Sequence, residues 1–417
     1  LRTDPLYVID LSDNNNPKIA GALEIPGYSA YLHPISDSLL LGVGQNIDEN
    51  DIAAVTETLK ADFLTQGPKV KEFETAFAEY VEADYAVAVN NATSGLHLSV
   101  LALGLKAGDR VITTPITFAA SANCARYVGA EVWFADIDPD TYVMDLGALK
   151  SLLASKPKGF FKGVIVVDFA GLPVNMEAFK AVTDEYNLWL IEDACHAPGA
   201  SFTTSKGSNS KAGSGEFADL AVFSFHPVKH IACGEGGMVT TNSKELYEKV
   251  SSLRTHGIVK DFDKIGDELW KYDMIDLGFN YRLTDIQSAL GISQLSKNKQ
   301  GVERRNEIAK RYMNAFNGKV KYQAADAAFY NAYHLFVIEV PKRKELYHAL
   351  REAGIFAQIH YIPVHTLEYY KDLDYADANL ACAESYYEKC ISLPMFPTLK
   401  DAEVDYIIEK VLNFING

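Results

Sequence analysis

The stretch LWLIEDACHAPGA, residues 188–200, decides the fold. It is an apolar run that ends in two acids, Glu192 and Asp193, followed by Cys195 and His196. A short apolar run of this kind predicts a buried strand, and ligands bind at the carboxyl ends of the strands in a parallel sheet. A carboxylate is costly to bury there without a partner. Asp193 is therefore a candidate for holding a protonated ring nitrogen, with a solvated loop acid as the alternative.

Outward from this stretch, apolar strand-like runs alternate with amphipathic helical segments. The runs are YAVAVN, DRVITTP, EVWFADI, GVIVVDF and DLAVFSF. Strands of this composition between helices predict an α/β fold with a mostly parallel sheet covered on both faces. A smaller C-terminal α/β part is predicted from the strand-like NAYHLFVIEV, the helix RKELYHALREAG and the strand-like FAQIHYIP.

The chain is expected to divide into three parts, residues 1–45, 46–290 and 291–417. Residues 1–45 consist of short β-type runs separated by Pro, Gly and Asn clusters, which indicates antiparallel hairpins. They resemble one blade of a bacterial β-propeller, but a single blade cannot bury both of its faces. Packing on the main body, pairing in a dimer and a foreign leader all remain open for this segment. Residues 203–217 are polar and glycine-rich and predict a mobile loop.

Composition narrows the classes of function. The chain has 417 residues, of which 48% are hydrophobic, and a net charge of −16. This charge argues against binding nucleic acid or an anionic membrane, and no apolar run reaches bilayer length. Five cysteines without paired spacing favour a reducing cytoplasm over a disulfide framework. The nearby pairs Cys195–His196 and Cys233–His230 could suggest a metal, but buried thiols are the favoured interpretation, so no metal is predicted.

Three further segments place polar or aromatic residues after predicted strands. In NNATSGLH, residues 90–97, Thr93 and Ser94 open a helix and could cradle a phosphate or act as a plain N-cap. In TPITFAAS, residues 114–121, Phe118 could stack on a flat ring or belong to the core.

The third segment is FSFHPVKHIACGEGG, residues 223–237, where Ser224 ends a strand and Lys229 follows five residues later. A lysine desolvated in a pocket loses its proton readily and can form an imine, whereas most lysines are solvated charges. Together the four segments call for a phosphate, an aromatic ring, a ring nitrogen and an aldehyde. Pyridoxal phosphate has all four.

Residues from about 46 to 417 resemble the DegT/DnrJ/EryC1/StrS family of nucleotide-sugar aminotransferases. The motifs that carry this resemblance are ITTPITFAASANCARYVGAEVWFADIDPDTYVMD, IEDACHAPGA, FSFHPVKHIACGEGGMVTTN and LGFNYRLTDIQSALGISQL. The resemblance implies a fold-type I aminotransferase that depends on pyridoxal 5′-phosphate. Residues 1–45 have no counterpart in the family.

The resemblance also implies roles for individual residues. Lys229 would anchor the cofactor covalently and shuttle a proton, and Asp193 would pair with the ring nitrogen. The other implied contacts are Phe118 on the ring face, Thr93, Ser94 and Ser224 at the phosphate, His196 beside the ring, and Asn280 at the phosphate of the neighbouring subunit. This last contact implies a homodimer with shared active sites.

The segments VVDFAGLPVNM, LTQGPKVKEFE and NNATSGLHLSVLALGL look most like the pseudaminic-acid branch of the family. That branch implies transfer of an amino group, with L-glutamate as the expected donor, to C4 of a UDP-linked 4-keto-6-deoxy-N-acetylhexosamine. The product would be UDP-4-amino-4,6-dideoxy-N-acetyl-β-L-altrosamine. Candidate substrate contacts are Asp168, Arg282, His360 and Tyr361, with a structural ion pair for Arg282 and a satisfied strand histidine for His360 as the alternatives.

Other functions stay open on the sequence alone. They are amination of a different 3- or 4-keto-6-deoxysugar nucleotide for a cell-surface polysaccharide, a decarboxylase or lyase on the same fold, and a non-catalytic pyridoxal-phosphate sensor. One branch of the family carries histidine in place of the anchoring lysine and dehydrates sugars. Lys229 therefore favours transamination, and its presence with Asp193 and Ser224 argues against a sensor.

Overall fold

A computed structural model describes residues 47–260, 268–373 and 379–417 in full, and residues 5–10, 18–24, 28–36 and 39–45 as backbone. The four backbone segments are strands, and they pair as two antiparallel hairpins, β1 with β2 and β3 with β4. This confirms the predicted hairpins. The stretch SDNNNPK, residues 12–18, predicts a turn, and this turn lies mostly outside the described residues. The strands are β1 (Pro5–Asp10), β2 (Lys18–Glu24), β3 (Tyr28–Ser36) and β4 (Leu39–Gln45).

Within the described residues, a seven-stranded sheet forms the centre of the molecule, in the order β5-β13-β12-β9-β8-β6-β7. The strand β13 runs antiparallel to both of its neighbours, and the remaining pairs are parallel. The strands are β5 (Tyr85–Val89), β6 (Arg110–Thr113), β7 (Glu131–Phe134), β8 (Gly163–Val167), β9 (Trp189–Asp193), β12 (Leu220–Ser224) and β13 (Gly237–Thr241). The mostly parallel α/β sheet predicted from the sequence is confirmed.

Helices cover both faces of this sheet, because its strands are apolar on both sides and the residues of β8 are all buried. Gly95 lets the helix α3 approach the central sheet closely, since a Cβ at this position would lie 3.0 Å from the Val222 side chain of β12. The helices of this part are α1 (Glu49–Leu59), α2 (Pro68–Val81), α3 (Ala92–Ala102), α4 (Ala120–Tyr127), α5 (Leu146–Ala154), α6 (Met176–Tyr186) and α7 (Lys244–Arg254).

The C-terminal part has its own buried core around a small antiparallel sheet in the order β16-β18-β19. The long helix α8 (Asp285–Phe316) leads into it and runs across the boundary predicted at residue 290, so the three-part division of the chain stays a prediction. The other elements are β16 (Lys321–Tyr322), β18 (Phe336–Glu339), α9 (Arg343–Glu352), α10 (Glu368–Lys371), α11 (Ala381–Lys389), β19 (Cys390–Leu393) and α12 (Asp401–Asn416).

The structure differs from the sequence-based expectation in two segments. Residues 203–217 are not simply a loop, because β10 (Ser201–Thr203) and β11 (Asn209–Lys211) form a hairpin that pairs with β17 (Phe329–Tyr330). The segment FAQIHYIP does not form a strand. It makes a single bridge, between Gln358 and Ser392, before it turns towards the site described below.

A short hairpin, β14 (Ile258–Val259) with β15 (Asp273–Met274), extends from the end of α7. In the part of the chain that the structure describes, none of the helices is both long enough and apolar enough to cross a bilayer.

Candidate active site

A cavity of about 870 Å³ opens at the carboxyl ends of the central strands. It lies where the parallel strands stop and helices begin, which is the usual place for a ligand in such a sheet. Eight of the residues predicted from the sequence line it together. They are Thr93, Ser94, Phe118, Asp193, His196, Ser224, Lys229 and Tyr361.

Asp193 ends β9 inside this cavity, and only 5% of its surface is exposed. Ser121, in the first turn of α4, donates a hydrogen bond of 2.6 Å to its Oδ2, and the Cys195 N–H donates one of 3.2 Å to its Oδ1. Thr117 Oγ1 lies 2.7 Å from Ser121 Oγ and can donate to it, since Ser121 directs its own proton to the carboxylate. This buried side chain is therefore held in place by two direct hydrogen-bond donors.

The first turn of α3 borders the same cavity. Asn91 caps this helix by accepting the Ser94 N–H at 2.8 Å, and the Thr93 and Ser94 side chains follow directly. A Cβ on Gly237 would lie 2.7 Å from Ala92 N, so β13 can meet the start of the helix only because this residue is glycine. Free N–H groups and hydroxyls at a helix start form an anion site, which suits a phosphate.

Lys229 lies on the loop after β12, lines the same cavity as Asp193 and is partly exposed. Surrounding protein lowers the pKa of this lysine by desolvation, while the Cys195 and Asp193 side chains act in the opposite direction. A buried amine of this kind holds its proton less firmly than a surface lysine and can act as a nucleophile or base. Ser224, at the end of β12, is partly buried beside it.

His196 is buried, and its Nδ1 accepts the Ala170 N–H at 3.3 Å. Its Nε2 must then carry the proton when the ring is neutral, and it lies 3.3 Å from the Tyr361 hydroxyl, to which it can donate. Burial lowers the pKa of His196 well below its usual value, with a further contribution from Lys229. His334 packs against His196 in a tilted arrangement with ring centres 4.3 Å apart, and burial likewise keeps it neutral by lowering its pKa. This histidine group therefore adds no positive charge beside Lys229.

Phe118 projects into the cavity with 62% of its surface exposed, and its ring centre lies 6.3 Å from that of Tyr361. An exposed aromatic ring at the mouth of a cavity is available to stack on a planar ligand. The alternative reading of Phe118 as a core residue does not fit this exposure.

Four other predicted residues do not line the cavity in this chain. Asp168 is completely buried, so the direct substrate contact expected for it is not supported. His360 accepts from or donates to Ser392 Oγ at 2.9 Å, and burial, followed by Lys229, lowers its pKa to about 4. Arg282 donates to the exposed Asn280 at 3.0 Å, so it joins an amide rather than the ion pair considered for it.

Sequence reasoning did not single out Ser121, His226 and Glu235, although the last two line the cavity. All three residues stand inside the quoted motifs, but nothing local marks a serine in a helical turn as the partner of an acid 72 residues away. Among the described residues, no cluster of three or more His, Cys, Asp or Glu side chains has the arrangement of a metal site.

Residues 45–412 match the model of the DegT/DnrJ/EryC1/StrS aminotransferase family. The chain belongs to this family. It is 40% identical to a Campylobacter jejuni protein named UDP-4-amino-4,6-dideoxy-N-acetyl-beta-L-altrosamine transaminase, over 86% of this chain and 93% of the relative. It is 37% identical to the Bacillus subtilis spore coat polysaccharide biosynthesis protein SpsC, over 89% and 96% of the two chains.

A solved structure agrees with these sequence relatives. Helicobacter pylori PseC, described as an aminotransferase involved in the biosynthesis of pseudoaminic acid, superposes with a TM-score of 0.81 at 33% identity. The match covers 89% of this chain and 97% of that one. The predicted family, the fold-type I architecture and the assignment as a sugar aminotransferase are confirmed.

Aminotransferases of the DegT/DnrJ/EryC1/StrS family depend on pyridoxal phosphate, and this protein is one of them. The residues present in the cavity fit that cofactor. A buried carboxylate with two donors suits a protonated ring nitrogen, an amine of lowered pKa suits an aldehyde, and the start of α3 suits a phosphate.

Proposed function

We propose that this protein transfers the amino group of L-glutamate to C4 of a UDP-linked 4-keto-6-deoxy-N-acetylhexosamine. The product would be UDP-4-amino-4,6-dideoxy-N-acetyl-β-L-altrosamine, an intermediate of pseudaminic acid biosynthesis. The observation that carries this proposal is the 40% identity, across most of both chains, with a relative named for that sugar nucleotide. The likeness to PseC supports the same branch of the family.

Residues that line the cavity would hold the cofactor. Lys229 would bind it covalently, Asp193 would face the ring nitrogen, and Phe118 would cover one face of the ring. Thr93, Ser94 and Ser224 would hold the phosphate, and their positions at the start of α3 and the end of β12 support that role. When bound, pyridoxal phosphate supplies an aldehyde that accepts the amino group and a ring that withdraws electrons.

Lys229 would also move the proton between the carbon atoms that exchange the amino group. This role requires a neutral amine whenever Lys229 is not covalently bound to the cofactor. The lowered pKa of Lys229 supports the neutral state. His196 cannot take a proton on Nδ1 while it accepts from Ala170, so it would act as a donor through Nε2. Its hydrogen bond would orient the Tyr361 hydroxyl at the cavity wall, and this position supports Tyr361 as a substrate or cofactor contact.

A homodimer with shared active sites is the assembly that we propose. The segment before Asn280 carries large apolar side chains that are mostly exposed in the single chain, and Trp270 has 75% of its surface exposed. Exposed apolar residues grouped in this way typically mark an interface. The residues of this segment with more than half of their surface exposed are Leu269, Trp270, Tyr272, Met274, Ile275 and Leu277. Asn280, which is exposed at its end, would then reach the partner's cofactor phosphate.

We also propose that the reaction takes place in the cytoplasm. All five cysteines have free thiols in the structure, and three of them are buried. Free thiols of this kind are typical of a reducing compartment.

The experiment that tests this proposal is incubation of the cofactor-loaded protein with L-glutamate and the UDP-linked 4-keto-6-deoxy-N-acetylhexosamine. Mass spectrometry and NMR of the product should show one new amino group at C4 with the altro configuration. The variant Lys229→Ala, treated in the same way, is the matched control and should form no product. If the amino group is found at C3, or if this substrate remains unchanged, the proposed substrate is wrong.

A second candidate is a different 3- or 4-keto-6-deoxysugar nucleotide, made for a cell-surface polysaccharide. The 37% identity to SpsC, a protein of spore coat polysaccharide biosynthesis, supports this second candidate substrate. A panel of ketosugar nucleotides under the same conditions separates the two candidates, because the true substrate should show the largest kcat/KM.

A further inference from the structure

Two buried carboxyl groups lie behind Asp193 and take no part in the roles assigned above. Asp168 directly follows β8, and Glu192 precedes Asp193 on the neighbouring parallel strand β9. Both side chains are buried, with exposed fractions of 0% and 3%. In the strand register Val166 stands opposite Glu192, which brings the two acids to the same edge of the sheet.

The hydrogen bonds around this pair leave one oxygen without a donor. Asp168 Oδ1 accepts the Val174 N–H at 3.0 Å, and Glu192 Oε2 accepts the Gly213 N–H at 2.9 Å. Among the described residues, no N–H or O–H group donates to Asp168 Oδ2, which is fully buried. A side-chain hydrogen bond between the two carboxyl groups nevertheless contributes to the pKa of each of them.

Two carboxylates cannot form a hydrogen bond with each other unless one of them carries a proton. Burial in this place penalises charge, and a second negative charge nearby adds repulsion. We propose that Asp168 holds this proton near neutral pH and donates it to Glu192, so that the pair carries one negative charge and positions Asp193.

The directions of the pKa shifts agree with this arrangement. Burial raises the pKa of Asp168 well above its usual value, and the charges of Glu192 and Asp193 raise it further. Burial raises the pKa of Glu192 to about 7, with a further contribution from the charge of Asp193, although the Gly213 N–H and Asp168 act to lower it. Asp168 Oδ2 receives no hydrogen bond from the described residues, so it is the oxygen that can carry the proton, and the proton therefore belongs on Asp168. The Cys195 thiol also interacts with Asp168, and burial raises the pKa of this thiol.

The pair supports the site through the main chain. The Asp168 N–H donates to Asp193 O at 3.1 Å, which ties the ends of the two strands together. Asp168 Oδ1 holds the loop that continues through Ala170, whose N–H in turn contacts His196. A single negative charge behind Asp193, instead of two, also limits the repulsion that this carboxylate experiences. Asp168 is thus a positioning residue, and its effect on the reaction rests on the proposed role of Asp193.

Infrared spectroscopy of the full-length protein, both as purified and after cofactor loading, tests the protonation directly. Near neutral pH we expect a carbonyl stretching band of a buried carboxylic acid that shifts when aspartate alone is labelled with ¹³C. The band should vanish in Asp168→Asn and in Glu192→Gln, because in either variant an amide can supply the hydrogen bond without a shared proton. A missing band, a band that survives both substitutions, or a band that shifts with labelled glutamate instead would overturn the proposal.

Kinetics then test the positioning role. Asp168→Asn keeps a donor towards Glu192, whereas Asp168→Leu leaves that carboxylate with less support. The asparagine variant should retain at least about tenfold more kcat than the leucine variant, since a buried acceptor that loses its donor is costly. Equal losses in both variants would refute the positioning role. The infrared result does not depend on which sugar is aminated, so it separates a failure of this proposal from a failure of the proposed substrate.

Discussion

The substitution Ser121→Ala tests most sharply how the tertiary structure supports catalysis. The Ser121 hydroxyl donates a hydrogen bond of 2.6 Å to Asp193 Oδ2 inside the protein, and alanine removes it without adding bulk. The Cys195 N–H, at 3.2 Å from Oδ1, would remain as a donor to the carboxylate. We expect the variant to fold and to bind the cofactor but to react more slowly, because Asp193 loses support for its negative charge.

The size of the effect follows from the type of hydrogen bond. A hydrogen bond to a charged group contributes about 1.5–3 kcal/mol. If this contribution is lost in full from the transition state, kcat/KM falls by roughly 10- to 150-fold. The loss should be smaller for Thr117→Val, because Thr117 donates to Ser121 and reaches the carboxylate only through it.

Stopped-flow absorbance of the reaction with L-glutamate alone measures the first half-reaction and avoids any question about the sugar. The matched control is Ser99→Ala, which removes a buried serine hydroxyl that donates to the Gly95 carbonyl oxygen at 2.7 Å within α3. This control should keep the wild-type rate within about twofold. A Ser121→Ala rate as close to wild type as that of the control would refute the reasoning.

Four further predictions concern the anchor, the phosphate cradle and the C-terminal core. Lys229→Ala should abolish turnover and keep the thermal unfolding profile of a folded protein; measurable turnover would contradict the assignment. An ordinary lysine loses its proton near pH 10.4. Since burial lowers the pKa of Lys229, the amine of this residue becomes neutral below that pH. The rate at which apoprotein captures pyridoxal phosphate should therefore reach its plateau below that pH, and a midpoint at or above it would contradict the prediction. Gly237→Ala should weaken cofactor binding about tenfold or more by equilibrium titration, because its Cβ would lie 2.7 Å from Ala92 N. Its control, Gly301→Ala, would meet a proline carbon at 3.4 Å and should bind normally. Arg305→Met should lower the free energy of unfolding in urea by about 3 kcal/mol or more, as it removes a buried donor to three backbone carbonyl oxygens; Arg305→Lys should recover part of the loss.

The sequence was sufficient for the features that depend on local pattern. Apolar runs that end in polar residues predicted six strands of the central sheet, because burial on both faces requires continuous apolar composition. Asp193 and Lys229 follow two such runs, and the carboxyl ends of neighbouring parallel strands meet at one edge. Their shared cavity is therefore predictable from the amino-acid sequence.

The local pattern failed where a segment's structure depends on a distant partner. FAQIHYIP has the composition of a strand, but it makes one bridge and then turns so that Tyr361 reaches His196, 165 residues earlier in the chain. Residues 203–217 have the composition of a loop, but they form a hairpin because β17 pairs with it from more than 100 residues away.

The hydrogen-bond partners of the catalytic groups also depend on residues that are distant in the sequence. The amino-acid order determined which strands form, where they end and which acid and lysine stand at those ends. The fold determined that Ser121 donates to Asp193 and that Asp168 is fully buried instead of lining the cavity. Such contacts depend on the order of strands in the sheet and on side-chain packing, which bring together residues that no short stretch of the chain contains.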